Sequence, residues 1–204
     1  MSTNQIFIVD DDDAIRDALG WLFRSRGHVA RLWSSAEALI AGGEIGRCGC
    51  LLLDIRMDGM SGLELFEWLR ENGHDIPVIF LTGHGDVPMA VAALKKGAFD
   101  FVEKPFNDNE LVDRALAALD IHHQRSSRQA AAREVDERLA QLTSRELEVM
   151  ERVLAGQMNK VIAMDLGVTM RTVEVHRARI FDKMGVRSAV ELAQLLTART
   201  PKPE

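Results

Sequence analysis

Five short runs rich in Val, Ile, Leu and Phe, at 5–9, 28–33, 50–53, 77–81 and 98–102, recur with helix-like stretches between them. No other feature narrows the fold as much. Strands alternating with helices at this spacing predict βα units and a parallel sheet. The runs at 5–9, 50–53 and 77–81 are nearly unbroken in apolar residues, as strands covered on both faces are. His28-Val-Ala-Arg-Leu-Trp33 is mixed, which predicts an edge strand. The stretches between read as helices at about 14–26, 35–41, 61–71, 87–96 and 107–120. Leu111, Val112, Ala115, Leu116 and Leu119 give the last of these an apolar stripe.

Four of the runs end on residues that carry chemistry. Val9 leads into Asp10-Asp11, Leu53 into Asp54, Leu81 into Thr82, and Val102 into Glu103 and Lys104-Pro105. In an open parallel sheet these C-terminal ends face one crevice. Three carboxylates packed there repel one another unless a cation neutralises them. Hard oxygen ligands of this kind suit Mg²⁺ or Mn²⁺. Beside such a metal Asp54 is the natural acceptor of a phosphoryl group, since carboxylates form aspartyl-phosphates when incoming charge is screened. Lys104 can pair with phosphoryl oxygens as a compact charge, and Thr82 can donate a hydrogen bond to them. Singly, each has an ordinary explanation: a loop Asp, a Lys-Pro turn, an acidic run favoured by a helix N-terminus. Asp12 and Asp13 are assigned that last role. The order of the set along successive strand ends is what points to a site.

These residues carry a family resemblance. Val9-Asp-Asp11, Leu53-Asp-Ile-Arg-Met57 with Gly59-Met-Ser-Gly62, Thr82-Gly-His-Gly85 and Lys104-Pro-Phe106 resemble the receiver domain of two-component response regulators. The resemblance covers residues 4–120 and implies a flavodoxin-like fold, five parallel strands in the order 2-1-3-4-5. It implies phosphorylation of Asp54 by a partner histidine kinase. It also implies Mg²⁺ held by Asp11, Asp54 and the backbone carbonyl of Arg56, with Asp10 acting through water, and a switch in which Thr82 moves inward and Phe101 rotates into the space it leaves. One position departs from the family pattern: Asp58 stands where Pro is frequent, adding a negative charge near the metal and freeing the backbone.

Residues 121–141 contain neither Gly nor Pro, and Gln129-Ala-Ala-Ala-Arg-Glu134 has strong helix propensity. A helical connector is expected there, able to continue the preceding helix. From Leu142 the pattern is helical throughout. Thr143-Ser-Arg-Glu146 fits a capping box. Asn159, Thr169 and Ser188 are expected to cap three further helices, the second and third forming a helix-turn-helix around Gly167. The third is the expected recognition helix. At about 100° per residue, Val173, Ile180 and Met184 fall on its inner side. Arg171, Glu174, Val175, Ala178, Arg179 and Asp182 fall on the outer side. An outward valine is suited to a thymine methyl, and Glu174 to cytosine N4. Lys160, Thr172, Arg177 and Arg179 suit phosphate contacts. His176 is read as a packed or capping residue rather than a ligand.

Leu142-Thr-Ser-Arg-Glu146, Asn159-Lys-Val-Ile-Ala163, Thr169-Met-Arg-Thr-Val-Glu-Val-His-Arg177 and Ile180-Phe-Asp-Lys-Met184 resemble the LuxR-type domain of the NarL/FixJ class. The expected organisation is a receiver at 1–120, a helical linker at 121–141 and a four-helix LuxR-type DNA-binding domain at 142–200. The resemblance implies a sensor histidine kinase and promoter DNA as partners, RNA polymerase as a further one, and a homodimer formed on phosphorylation, often through the last helix.

Charge fits two halves with different partners: residues 1–137 hold 14 Lys and Arg against 23 Asp and Glu, while 138–204 hold 11 against 8. No apolar run approaches the ~18 residues that span a bilayer, and Met1-Ser-Thr-Asn-Gln5 lacks a basic region ahead of a hydrophobic stretch. A cytoplasmic protein with neither signal peptide nor membrane contact is expected. Cys48 and Cys50 are read as small buried residues rather than a disulfide or thiolate site. Two other functions fit parts of the pattern. A Mg²⁺-dependent phosphatase also forms an aspartyl-phosphate, but commonly needs a carboxylate two residues after the nucleophile, where Arg56 stands. A receiver signalling only through protein contacts would carry a degenerate DNA-binding domain.

Overall fold

The computed structural model describes residues 5–83 and 87–199, with Val87 described by its backbone alone. His84 and Gly85 of the Thr82–Gly85 motif, and the segments at 1–4 and 200–204, lie outside the described residues.

Strands β1 (Gln5–Val9), β2 (Ala30–Trp33), β3 (Cys48–Asp54), β4 (Val78–Thr82) and β5 (Asp100–Glu103) form one parallel sheet in the order 2-1-3-4-5. Helices α1 (Asp13–Ser25), α2 (Ala36–Gly42), α3 (Gly62–Glu71), α4 (Val87–Lys95) and α5 (from Asp108) cover it. Side chains alternate across the strands, so each of the central strands feeds two cores. Phe7, Val9, Leu51, Leu53, Val78 and Phe80 pack with Leu39, Leu65, Phe66 and Ala90 of α2, α3 and α4. Ile6, Ile8, Leu52, Ile79 and Leu81 pack with Leu19 and Phe23 of α1 and Leu111 and Ala115 of α5. Burial on both faces is why the inner strands read as unbroken apolar runs. The edge strand β2 is shorter than its run: His28 and Val29 precede it, and Val29 is exposed. Likewise β5 begins two residues later than expected, at Asp100.

α5 runs without a break from Asp108 to Ala140, so the connector continues it. The chain divides into two compact units that meet at Arg125–Ser126. The second contains the end of α5 and four helices: α6 (Ser144–Leu154), α7 (Asn159–Asp165), α8 (Met170–Met184) and α9 (Ala189–Arg199). Val149, Ile162, Val173, Ile180, Met184 and Leu192 make its core, joined by Val135 from α5. The capping box of Thr143 and Glu146 opens α6, Thr169 caps α8, and Ser188 accepts the N–H of Glu191 at the start of α9. Asn159 does not cap. Met158 occupies that position without a side-chain bond, and Asn159 Oδ1 instead accepts from Arg177 Nη1 at 3.1 Å.

Candidate functional site

The strand ends bring Asp10, Asp54, Thr82 and Lys104 together. Lys104 Nζ donates to Asp54 Oδ1 at 2.6 Å and to Asp10 Oδ2 at 2.8 Å. The ammonium therefore bridges two buried carboxylates that would otherwise repel each other. Its backbone is anchored too, since Lys104 N–H donates to the Thr82 carbonyl at 2.7 Å. Asp10 Oδ1 accepts the N–H of Asp12, and Asp54 Oδ2 accepts that of Arg56, each at 2.9 Å. Burial pushes the Asp54 carboxyl above its ordinary value. The bond and charge of Lys104 pull it down, the Asp10 carboxylate pushes it further up, and the Arg56 N–H pulls down; the balance is upward. Burial pulls the Lys104 ammonium down, but the two carboxylates outweigh it and the net direction is up. Burial thus sets the direction for Asp54, and the two carboxylates set it for Lys104.

The Thr82 side chain is fully buried, and its hydroxyl has no hydrogen-bond partner among the described residues. A buried hydroxyl left unpaired costs about 1–3 kcal/mol, so this one fits a site that receives a ligand acceptor. Asp11 is exposed at the rim, and its Oδ2 accepts the N–H of Asp58 at 2.9 Å. The backbone that the missing proline was expected to free is thus in use. Among the described residues no three His, Cys, Asp or Glu side chains stand grouped as a metal site. The expected set needs none: two direct carboxylates and a carbonyl leave Mg²⁺ its usual waters and phosphate oxygens. The hard oxygens of Asp10, Asp11 and Asp54 suit such an ion.

Phe101 lies on β5 opposite Phe80 of β4, half-buried against the α2–α3–α4 side of the sheet. Thr82 is two residues beyond Phe80, so Thr82 and Phe101 are diagonal neighbours on one face. Gly62, which closes the Gly59–Gly62 motif, has a steric role. A Cβ on Gly62 would stand 2.0 Å from the Asp54 carbonyl oxygen, and the Gly62 N–H donates to the Ile55 carbonyl at 3.0 Å. The start of α3 is pressed against the backbone of Asp54. Arg16 is a further residue at the crevice, where its Nη1 donates to the Asp10 carbonyl at 2.6 Å. A charged residue on a helix gives no signal of its backbone partner six residues away.

In the second unit α7 and α8 are joined by the turn Leu166–Thr169, where Val168 N–H donates to the Ala163 carbonyl at 3.0 Å. Val173, Ile180 and Met184 of α8 are buried. Arg171, Glu174, Val175, Ala178 and Arg179 are exposed along its other side, as is Lys160 near the start of α7. Val175 is 44% exposed, an apolar patch on a charged helix face. Thr172 is half-buried, with its hydroxyl 2.8 Å from that of Thr169. Arg177 is held by Asn159 and lies 5.6 Å over the Phe181 ring. Its guanidinium is braced within the unit, unlike that of a freely extended phosphate contact.

Residues 6–116 match the family of response regulator receiver domains, and residues 140–196 match the luxR family of bacterial regulatory proteins. The C4-dicarboxylate transport transcriptional regulatory protein DctR of Rhodobacter capsulatus is 53% identical over 192 residues, covering 93% of this chain and 98% of that protein. The transcriptional regulatory protein FixJ of Azorhizobium caulinodans is 43% identical over 190 residues, covering 93% and 90%. Among solved structures, the response regulator StyR is similar with a TM-score of 0.90 and 38% identity, covering 96% of this chain and 98% of that one. Full-length FixJ from B. japonicum is similar with a TM-score of 0.59 and 37% identity, covering 98% of both chains.

Proposed function

The chain belongs to the NarL/FixJ class of two-component response regulators, and we propose that phosphorylation of Asp54 by a partner sensor histidine kinase controls its binding to promoter DNA. The observation that carries this reading is the juxtaposition of Lys104, bonded to Asp54 and Asp10, with the unpaired buried hydroxyl of Thr82. In the proposed step a carboxylate oxygen of Asp54 attacks phosphorus as the P–N bond to the kinase histidine breaks. The histidine nitrogen keeps the bonding electrons. Lys104 is already at Asp54 Oδ1 and takes up the added charge of the phosphoryl oxygens. Thr82 supplies the hydrogen bond its hydroxyl otherwise lacks. Asp11, Asp54 and the Arg56 carbonyl would hold Mg²⁺, with Asp10 acting through water, and the ion would supply the positive charge that lets an anionic phosphoryl group approach these carboxylates.

Inward movement of Thr82 opens space on the face it shares with Phe101, whose rotation carries the signal to the surface formed by α4, β5 and α5. A phosphoryl group shifts this equilibrium only by its differential interaction with the two states. The favoured state is a homodimer, in which two DNA-binding domains reach two half-sites together and gain through effective concentration. In this reading residues 1–120 act as receiver, 121–141 as linker and 142–200 as the DNA-binding domain. The chain stores a signal rather than turning over substrate, since Arg56 stands where a phosphatase would need a carboxylate. No described helix is long and apolar enough to cross a membrane. As a DNA-binding regulator the chain would act in the cytoplasm, at promoters and with RNA polymerase. The likeness to DctR makes genes of C4-dicarboxylate transport the first promoters to test.

The test combines a small acyl-phosphate donor with Mg²⁺. A mass increase of one phosphoryl group, a shift to dimer in sedimentation and tighter promoter binding are expected, and all three are lost in Asp54→Asn. Rapid multiple turnover of phosphate esters, or an undiminished dimer response in Asp54→Asn, would sink the proposal.

A further inference from the structure

The loop from β3 to α3 is held by alternate backbone donors. Arg56 N–H donates to Asp54 Oδ2 at 2.9 Å, Asp58 N–H to Asp11 Oδ2 at 2.9 Å, and Met60 N–H to Glu37 Oε1 at 2.8 Å. Every second residue thus reaches a carboxylate, and the three carboxylates come from β3, the turn after β1, and α2. Between the last two contacts the chain bends at Gly59, with φ 78°. A Cβ there would meet Glu37 Oε1 at 2.7 Å. Glu37 therefore packs against the loop as well as accepting from it. Its carboxyl lies below the usual range, held there by its own backbone N–H, then by Met60 N–H and the Ser35 side chain.

Two of these carboxylates, Asp54 and Asp11, belong to the proposed metal site, and each gives one oxygen to the loop. Glu37 does not belong to it. It lies on the first turn of α2 and touches the segment just beyond Asp58. With the Met60 end fixed, the intervening residues have few ways to turn. The Arg56 carbonyl then keeps one direction, and Asp58 stays within reach of Asp11. We propose that Glu37 is a positioning residue for the metal: it locks the β3–α3 loop so that the Arg56 carbonyl and Asp11 are set before the cation arrives. The inference rests on the reading of Asp11, Asp54 and Arg56 as the Mg²⁺ ligands. Partners outside the coordination sphere that orient ligands typically change metal affinity about 10–100-fold. Glu37 acts one contact further out and in solvent, so an effect of roughly threefold to tenfold is expected.

Magnesium titration of the isotope-labelled full-length chain, followed at the amide resonances of Arg56 and Asp58, tests this. Wild type should saturate. Glu37→Ala should bind Mg²⁺ at least about threefold more weakly with an unchanged unfolding temperature. Glu37→Gln keeps the acceptor without the charge and should stay within about twofold of wild type. Wild-type affinity in Glu37→Ala overturns the inference. Equal weakening in both variants overturns it too, because it would assign the effect to long-range charge. If wild type shows no Mg²⁺-dependent shift at these amides, the ligand reading itself falls, and the positioning role with it.

Discussion

Gly62 and Thr82 show opposite ways in which one residue serves the crevice. Gly62 matters for what it lacks. Gly62→Ala would drive a methyl carbon to 2.0 Å from the Asp54 carbonyl oxygen, a backbone atom that cannot step aside. Overpacking of this sort costs about 1–3 kcal/mol. A lowered unfolding midpoint is expected from the fluorescence of Trp21, Trp33 and Trp68, together with slower phosphorylation, because the displaced backbone carries the proposed acceptor. Thr82 matters for a group it does not satisfy. Thr82→Val keeps the shape and removes the unpaired hydroxyl. Its stability should equal or exceed that of wild type by up to about 1–3 kcal/mol, while phosphodonor-dependent DNA binding is lost. A loss of stability in Thr82→Val would show that the hydroxyl is already satisfied. Thr82 could be picked out of the sequence because it ends an apolar strand. The role of Gly62 could not, since the atom it must avoid belongs to a residue eight positions back.

Among the elements, α6 and α8 are joined by a pair that the capping pattern only half disclosed. Glu146 was legible as the last member of a capping box, and its Oε2 accepts the N–H of Thr143 at 2.9 Å. The fold adds Lys183, whose Nζ donates to the same oxygen at 2.6 Å and to the Gln141 carbonyl at 3.0 Å. The bond from Lys183, then that from Thr143, hold the Glu146 carboxyl at about 2. A carboxyl lowered on folding adds stability that is complete above its ordinary value near 4.5 and disappears as pH falls from there through about 2. Glu146→Gln should flatten this acid limb and cost about 1–2 kcal/mol at neutral pH. Helical circular dichroism reads the change, while the three tryptophans, all within residues 1–125, report the other unit. On the exposed side of the helix-turn-helix, Lys160→Ala should weaken binding to all DNA sequences alike. It should also reduce the salt slope by about one. Glu174→Ala should instead alter sequence preference in a binding-site selection.

For the whole molecule, the unbroken α5 is the element common to both units. Ser127 is exposed on it and belongs to none of the three cores. Ser127→Pro would break the helix there at a cost of about 3 kcal/mol, yet each unit keeps its own core. Phosphorylation of Asp54 and the tryptophan unfolding midpoint should be unchanged, while the dependence of promoter binding on phosphodonor is lost. A retained dependence would show that α5 need not be continuous for signalling. Strand type, the capped helices and the buried side of α8 were legible because each rests on neighbours in sequence: an apolar run, a cap three residues from its partner, a 3.6-residue repeat. The strand order 2-1-3-4-5 followed only from the resemblance to receiver domains. Asn159 misled for the same reason, since its residue type suits a cap and its actual partner, Arg177, lies on the next helix. The chain by itself determined the five strands, the acidic and cationic residues at their ends, and the helical second half. Packing of distant elements is what sets Lys104 between Asp10 and Asp54, leaves Thr82 without a partner among the described residues, presses Gly62 on the Asp54 backbone and brings Glu37 to the loop beside Asp11. Those contacts join residues far apart in the chain, and they depend on strand register and burial, which no local pattern encodes.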